Sequence, residues 1–372
     1  MARSASPAAA RKRARRGPRQ RLADEFTAAA AILGLKILYL LPERAAWHLA
    51  NFAGNLSYRL SRGRRDHARR NLRRVVEWMA ANGAGDEYHR AAATDRRRLE
   101  TLLREAFRNH AQYYVELARA PRFTPDFVQA HLLVETPAEV EEWLGTRRAM
   151  ILVGLHFGAI EFPGLFAVSH LGRIVAPMET MANARIQRYL FSVRATIGVR
   201  IIGLDDAGPD LIATLRRDEP VGLVADRDLT GGGIEVDLFG AKTRIPAGPV
   251  VLAVESGAPM CVAAVRRAGP GRYRGKLSGV SVPEAASRRE RSRMMVREEA
   301  RLFERLISDA PEQWLALFHP VWPDLEGTSP ADRPMAALNP RSVGSRTSEC
   351  ARVPSLGAPG PRPPAGDFVA SR

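Results

Sequence analysis

One histidine stands where a general base could act. His156 closes the apolar run MILVGL and has Gly154 and Gly158 close by on either side. Glu161 follows five residues after the histidine, in the first turn of a predicted helix. A carboxylate there could hydrogen-bond one imidazole nitrogen, fix the tautomer and stabilise the imidazolium that forms when the ring takes a proton. This pattern predicts general-base catalysis, with His156 as the base and Glu161 as its partner.

The same five-residue spacing to an acid occurs a second time, at His319 and Asp324. That pair lies among prolines, with no apolar strand before it and no helix after it, so we interpret it as structural. For His156 the alternative is a buried histidine whose ring is satisfied by a backbone carbonyl. Spacing alone does not separate the two interpretations, but a strand, two glycines and a helix around His156 favour catalysis.

The residues required for several other chemistries are missing from the sequence. It has no Gly-x-Ser-x-Gly nucleophile motif, no phosphate-binding loop that ends in Gly-Lys-Ser/Thr and no paired-histidine zinc helix. The two cysteines, Cys261 and Cys350, cannot form a disulfide framework or a thiolate metal cage, which fits a reducing compartment. We therefore expect no metal and no cofactor. A base without a protein nucleophile implies that a hydroxyl of the substrate attacks.

Further charged residues follow other predicted strands. Glu179 comes after the strand Arg173–Ala176, and Arg194 lies in the helix after it. Asp226, Arg227 and Asp228 follow the strand Val221–Ala225. Ligands of open α/β sheets bind beyond the carboxyl ends of the strands, so we expect these five residues to bind substrate. The alternative for both groups, Glu179 with Arg194 and Asp226–Asp228, is a set of salt bridges that lock loops.

The elements that would position these residues change in type along the chain. Residues 26 to about 120 have helical apolar stripes, whereas short apolar runs that alternate with helical patterns begin at Ala149. This alternation predicts an α/β fold with a largely parallel central sheet flanked by helices. The predicted strands are a run at Ala149, Arg173–Ala176, Arg200–Gly203, Val221–Ala225, Ile234–Phe239, Met260–Val265 and Tyr273–Val280.

Composition divides the 372 residues into four predicted regions. A basic disordered tail covers residues 1–25, and a helical, membrane-associated region covers residues 26–125. An α/β domain over residues 126–326 forms one fold with that region. Residues 327–372, rich in Pro, Gly and Arg, are predicted to be disordered.

The N-terminal region predicts attachment to an anionic surface. The chain has a formal net charge of +16, and residues 1–21 carry eight basic and no acidic side chains. Thr27–Leu41 follows as an apolar segment of about 15 residues, shorter than the roughly 20 that span a bilayer. We interpret it as an interfacial or shallowly inserted helix on the cytoplasmic face. A transmembrane span is the alternative for this segment. The basic helix around Arg69–Arg74 has an apolar face and a cationic flank, which suits a membrane surface, and its alternative is an ordinary solvated helix.

Several motifs carry a resemblance to a known family. They are Arg69–Leu72 (RRNL), His156 with Gly158 and Glu161, Glu179, Arg194 before Gly198, Asp226–Asp228 (DRD), Val236–Gly240 (VDLFG), Pro246–Pro249 (PAGP), Gln313–Trp314 and Pro320–Trp322 (PVW). Over residues 30–325 the chain resembles the bacterial acyltransferases that include the lipid A secondary (lauroyl/myristoyl) acyltransferases and the phosphatidylinositol mannoside acyltransferases, in the lysophospholipid acyltransferase superfamily. The family usually has Asn-Trp before the acidic residue, where this chain has Ala159 and Ile160.

The resemblance implies an O-acyltransferase. It would move a fatty acyl group from acyl-CoA or acyl carrier protein to a hydroxyl of a membrane glycolipid, at the cytoplasmic face of the inner membrane. It assigns His156 as general base and Glu161 as its partner, and Glu179, Arg194 and Asp226–Asp228 match family motif positions.

Two other classes of function remain open from the residues. One is a non-enzymatic protein that binds membranes or nucleic acid through its positive charge. Against nucleic acid, the basic run is a terminal tail rather than a face with interleaved aromatic residues. The other is a lipid hydrolase, in which water replaces the acceptor hydroxyl.

Overall fold

The computed structural model describes residues 18–146, 149–181, 183–204, 207–228, 231–282, 284 and 287–326. The predicted C-terminal tail, residues 327–372, and residues 1–17 of the predicted N-terminal tail lie outside the described residues.

The N-terminal region is helical, as predicted. Its helices are α1 (Pro18–Leu40), α2 (Glu43–Leu60), α3 (Arg62–Asn82), the short α4 (Glu87–Arg90) and α5 (Arg96–Arg119). Pro42 separates α1 from α2, and Gly83 ends α3 with a left-handed backbone (φ 64°). Residues 18–25 belong to α1, whereas the sequence assigned them to a disordered tail. No helix among the described residues has the length and apolar character to cross a membrane.

In the described part of the chain nine strands follow, and they form two sheets. They are β1 (Leu132–Glu135), β2 (Ile151–Gly158), β3 (Ile174–Met178), β4 (Val199–Gly203), β5 (Val221–Val224), β6 (Ile234–Leu238), β7 (Ala241–Ile245), β8 (Met260–Arg267) and β9 (Tyr273–Gly279). Seven of them form a sheet of order β1-β9-β8-β2-β5-β3-β4, in which only the β8–β9 pair is antiparallel. The largely parallel sheet is therefore confirmed.

Helices and short turns connect the strands. The longer ones are α6 (Pro125–His131), α7 (Ala138–Thr146), α8 (Glu161–Leu171), α9 (Ala184–Thr196), α10 (Ala207–Arg216), α11 (Gly248–Ser256) and α12 (Arg288–Ser308). Single 3₁₀ turns occur at Ala91–Ala93, Ala120–Arg122, Pro311–Gln313, Leu315–Phe318 and Pro323–Leu325.

The strand predicted at Ile234–Phe239 does not join the main sheet. As β6 it pairs with β7 in a separate antiparallel hairpin, and β7 was not predicted. Phe239 (φ 50°) and Gly240 (φ 72°) make the two-residue turn between them. A two-residue hairpin turn that matches the twist of its strands needs a positive φ at both residues, which explains the glycine at position 240.

The main sheet is buried on both faces, which explains the continuous apolar runs. Ile151, Val153 and Leu155 of β2 point into a core that they share with Leu72 of α3 and with residues of α5 and α12. The alternate residue Leu152 points into a second core with residues of α8 and α9. The helical region and the sheet thus share a hydrophobic core.

Strand β2 lies in the middle of the sheet, where the order of connections reverses. The chain leaves β2 towards β3 and β4, returns through β5 to the position beside β2, and then crosses to β8 on its other side. A crevice forms beyond the carboxyl ends of the strands at such a reversal. This topology places the ends of β2 and β5, with the residues that follow them, at one edge of the sheet.

Candidate active site

His156 and Asp226 meet because β2 and β5 are paired in parallel register. Gly154 of β2 lies opposite Val224 of β5, so the residues two positions further on face each other as well. The Nδ1 atom of His156 is 2.7 Å from Oδ1 of Asp226, and the backbone N–H of His156 donates to Oδ2 at 3.1 Å. The carboxylate therefore holds both the ring and the backbone of the histidine.

Trp314 completes the surroundings of Asp226. Its indole Nε1–H donates to Oδ2 of Asp226 at 2.8 Å, and its backbone forms a bridge with Phe157. The Asp226 side chain is fully buried. Burial by itself raises the pKa of this carboxyl, but the charge of His156 and the hydrogen bonds from His156 and Trp314 lower the pKa below its ordinary value. Asp226 is therefore ionised at neutral pH.

An ionised Asp226 can only accept, so Nδ1 of His156 carries the proton of the hydrogen bond. In the neutral ring Nε2 is then the unprotonated nitrogen, and it has no hydrogen-bond partner among the described residues. The His156 side chain is 31% exposed, so the ring is partly accessible. The arrangement can remove a proton from a hydroxyl placed at Nε2, with Asp226 stabilising the imidazolium.

Glu161 does not contact His156, and the expected hydrogen bond between them is wrong. The Glu161 carboxylate instead accepts two hydrogen bonds from Arg194 of α9, from Nη2 at 2.9 Å and from Nε at 3.2 Å. This charge, close to a buried guanidinium, raises the pKa of Arg194. Glu161 is the first residue of α8 and its side chain is buried, so the ion pair joins the beginning of α8 to the last turn of α9. Arg194 is consequently neutralised.

The other predicted binding residues have different surroundings. Glu179 is exposed directly after β3. Asp228 accepts hydrogen bonds from the backbone N–H groups of Gly231 and Gly233, at 2.8 and 2.9 Å, so it holds the loop after β5. Arg227 is half-buried and forms no hydrogen bond or ion pair with another described residue. Of the three consecutive residues, Asp226 supports His156, Asp228 locks a loop and Arg227 remains available to a ligand.

The turn after His156 requires a glycine. Gly158 has φ 54°, and a Cβ atom on it would lie 2.1 Å from the carbonyl oxygen of Val265. The carbonyl of Gly158 accepts a hydrogen bond from Arg267, which forms a buried ion pair with Glu116 of α5. These contacts fix the path of the chain from β2 into α8, and they were not predicted.

A cavity of about 430 Å³ lies on the α2 and α5 side of this turn. Arg44, Trp47 and His48 of α2 line it together with Asn109 of α5 and with Arg267 and Gln313. Arg267 thus connects the cavity to Gly158. Among the described residues, no group of three or more His, Cys, Asp or Glu side chains could hold a metal ion.

Sequence reasoning found His156 and Asp226 but assigned Asp226 to substrate binding rather than to the histidine. It did not assign a role to Trp314, although the motif Gln313–Trp314 was one of the features that carried the resemblance. The spacing of 70 residues between His156 and Asp226 contains no local pattern that would pair them.

Comparison with known proteins agrees with the resemblance. A family described as bacterial lipid A biosynthesis acyltransferase matches residues 14–323. The phosphatidylinositol mannoside acyltransferase of Mycolicibacterium smegmatis is 27% identical over 231 residues, which are 61% of this chain and 70% of that protein. A protein with the same name from Mycobacterium tuberculosis is 26% identical over 167 residues, 43% of this chain and 53% of that protein.

Proposed function

The chain belongs to the bacterial lipid A biosynthesis acyltransferase family and is an acyltransferase, and from this premise we propose its reaction. The enzyme transfers a fatty acyl group from acyl-CoA or acyl carrier protein to a hydroxyl of a membrane glycolipid. The names of the similar mycobacterial proteins favour an acceptor like phosphatidylinositol mannoside over one like lipid A. The observation that carries the proposal is His156, whose Nδ1 is held by Asp226 and whose Nε2 is open.

In the proposed reaction the acceptor hydroxyl gives its proton to Nε2 of His156 as its oxygen attacks the thioester carbonyl. The imidazolium is stabilised by the ionised Asp226, which does not itself take the proton. Collapse of the tetrahedral intermediate breaks the carbon–sulfur bond, and the imidazolium returns its proton to the leaving thiolate. The ester, the free thiol and the neutral histidine result, so no protein nucleophile is needed.

The carbonyl oxygen becomes negative in this intermediate and needs hydrogen-bond donors. The N–H of Ala159 is already used, because it donates to the carbonyl of Val265 at 2.8 Å. Ile160 and Glu161 are the next residues and lie at the beginning of α8. The first N–H groups of a helix have no acceptor within the helix, and its dipole favours negative charge there. We propose that the backbone N–H groups of Ile160 and Glu161 donate hydrogen bonds to the oxyanion.

The proposed role of Glu161 and Arg194 is to position this helix start. Their buried ion pair fixes the first residue of α8 against α9, so the backbone donors keep their direction. Glu161 therefore stays in the active site, but as a positioning residue rather than as the partner of the base. Arg227, which no other described residue pairs with, is retained as a substrate-binding residue, and Glu179 is exposed at the same edge of the sheet.

The enzyme also has to reach a lipid acceptor. Nine large apolar side chains of α1 and α2 are exposed, and we name them the apolar face: Leu22, Phe26, Leu33, Ile37, Leu40, Leu49, Phe52, Leu56 and Leu60. Within each helix they recur at spacings of three, four or seven residues, so they share one side of it. The opposite side of α1 packs through Leu38 on the core formed with α2 and α5.

We propose that the apolar face lies in the membrane interface, on the cytoplasmic side. Exposed Arg59 on α2, beside the apolar face, would then meet anionic headgroups. The basic residues 1–17 lie outside the described residues and would add to the same attraction. The protein is in this proposal a peripheral enzyme with a shallow anchor.

Transfer of a labelled acyl group from acyl-CoA to phosphatidylinositol mannoside in vesicles tests the reaction, with mass spectrometry of the products. His156→Ala should lower the turnover number by roughly 10²–10⁴-fold, the usual contribution of a general base. His170→Ala is the matched control, because His170 is an exposed histidine in the last turn of α8.

The products separate the remaining possibilities. Acylated glycolipid supports transfer, whereas release of free fatty acid alone would identify a hydrolase. Wild-type turnover by folded His156→Ala protein would remove His156 from the mechanism, and a protein that binds vesicles but turns over neither substrate would contradict the proposed reaction.

A further inference from the structure

A second arginine without a carboxylate partner among the described residues packs on the ring of Phe318. Arg64, in the first turn of α3, is half-buried, and its guanidinium carbon lies 4.5 Å from the centroid of the Phe318 ring. Its Nη2 lies 2.7 Å from Nε2 of His110 on α5. No carboxylate of the described residues pairs with it. Removing a guanidinium from water without a counter-ion is unfavourable, and burial accordingly lowers the pKa of Arg64.

The histidines around this arginine are neutral. Because Arg64 can only donate, His110 accepts through Nε2, and burial together with the charge of Arg64 lowers the pKa of His110 to about 3. Burial and the charges of Arg227, His156 and Arg64 lower the pKa of His319 to about 4. Arg227 follows Asp226 directly in the chain, and Asp226 accepts the hydrogen bond from Trp314. At neutral pH the positive charge of this group therefore comes from Arg64 and Arg227, and the two neutral histidines add none.

This group is close to the general base. Trp314, which donates to Asp226, is followed by the 3₁₀ turn Leu315–Phe318 and then by His319. Five residues at a rise of about 2 Å each place His319 within about 10 Å of Trp314 along the chain. The guanidinium of Arg64 packs on the ring of Phe318. The Tyr114 ring contacts His110 and is partly exposed to solvent. We name Arg64, His110, Arg227 and His319 the arginine–histidine cluster.

We propose that the arginine–histidine cluster binds a phosphate group of a substrate beside His156, with Arg64 and Arg227 as the charged donors. The inference rests on the proposed acyl transfer, because both proposed substrates carry phosphate. The phosphate belongs either to the phosphopantetheine and nucleotide part of the donor or to the phosphodiester of the glycolipid. Arg194, which the sequence placed in this role, is occupied by Glu161 and does not serve it.

Binding measurements by titration calorimetry test the cluster and identify the source of the phosphate. Coenzyme A is compared with pantetheine, and glycerophosphoinositol with myo-inositol, so each phosphate ligand has an uncharged counterpart. The proteins are the wild type, Arg64→Gln, Arg227→Gln and the control Arg62→Gln, which removes an exposed charge from the same turn of α3. Arg64→Lys keeps the charge and serves if Arg64→Gln does not fold.

We expect Arg64→Gln and Arg227→Gln each to weaken one phosphate ligand at least about tenfold, since hydrogen bonds between charged groups are among the strong ones. Arg62→Gln should bind like the wild type, and Arg64→Lys should lose less than Arg64→Gln. Loss for coenzyme A assigns the donor phosphates, and loss for glycerophosphoinositol assigns the acceptor phosphate.

The proposal is overturned if the wild type binds neither phosphate ligand, if it binds their uncharged counterparts as tightly, or if Arg62→Gln loses as much affinity as the other variants. These measurements do not depend on turnover. If the arginines bind a phosphate ligand but the wild type transfers no acyl group, the proposed function fails and the phosphate site stands.

Discussion

Two buried carboxylates of the same edge of the sheet have different partners. Asp226 receives the imidazole, a backbone N–H and an indole N–H, whereas Glu161 receives a guanidinium. A carboxylate that holds the base acts on the reaction directly. One that neutralises an arginine acts on the position of the backbone around it. The partners, rather than the residue type, separate the two roles.

Asp226→Asn should reduce the turnover number by roughly 10²–10⁴-fold, because an amide can no longer stabilise the imidazolium. Its effect on the Michaelis constant of either substrate should be small. The ionised carboxyl also stabilises the fold above the pKa of an unfolded aspartate, and this contribution is lost as pH falls through the lowered pKa of the folded state. The Asp226→Asn protein should therefore show a weaker loss of stability in acid than the wild type. Unchanged turnover would remove Asp226 from the mechanism.

Glu161→Gln should act mainly on folding. Breaking a buried ion pair costs about 3–5 kcal/mol, because the remaining charge is left without compensation. Replacing both partners, as Glu161→Gln with Arg194→Met, should recover part of the free energy of unfolding measured in urea. If Glu161→Gln instead keeps its stability and loses turnover as strongly as Asp226→Asn, Glu161 takes part in the chemistry.

At the level of elements, helices α1 and α2 present apolar side chains to solvent although their inner sides are packed. Phe26 is 78% exposed and Phe52 is 65% exposed, and large exposed apolar groups of this kind mark contact surfaces. The α/β elements contribute few such residues. The proposed membrane contact therefore belongs to the helical region, and the proposed chemistry belongs to the sheet edge.

The double substitution of Phe26 and Phe52 by Ser should weaken binding to anionic vesicles at least about tenfold, because burial of each ring contributes about 1.5–3 kcal/mol. Co-sedimentation measures the bound fraction, and Val251→Ser on α11 is the control for loss of an exposed apolar side chain. Salt at about 1 M should reduce binding of the wild type but not abolish it, since salt screens only the basic residues. Complete release by salt would contradict the role of the apolar face.

In the molecule as a whole, Glu299 is a buried carboxyl outside the proposed site. Glu299 of α12 is fully buried, and neither of its oxygens has a hydrogen-bond partner in the part of the chain that the structure describes. Burial alone raises the pKa of this carboxyl well above its ordinary value. The folded state therefore binds the proton more tightly than the unfolded chain, so this group favours folding most at low pH and less as pH rises towards the raised pKa.

Glu299→Met should stabilise the protein by about 1–3 kcal/mol, the cost of a buried polar group without a partner. The gain in Tm should be larger at pH 8 than at pH 5, because only the wild type loses stability over this interval. Glu298→Met is the control at the neighbouring position, where the carboxylate pairs with Arg301 and Arg305. An equal gain at both pH values would show that Glu299 does not titrate with folding.

Local patterns determined much of this protein. The apolar run before His156, the glycines beside it and the helical start at Glu161 follow from residues that are neighbours in the chain, and β2, the turn and α8 form as these patterns predict. The apolar stripes of the N-terminal region predicted its helices, and the alternation of strands and helices predicted the largely parallel sheet. The short family motifs, each a few neighbouring residues, were enough to indicate an acyltransferase.

The tertiary structure alone decided which charged groups pair. Asp226 reaches His156 through the register of β2 with β5, and Arg64 of α3 packs on the ring of Phe318, although the two are far apart in the sequence. The hairpin β6–β7 lies outside the main sheet because strand pairing, too, depends on which strand edges meet in the folded chain. A carboxylate binds whichever cation or ring folding brings within about 3 Å, and that distance depends on the packing of elements far apart in the sequence.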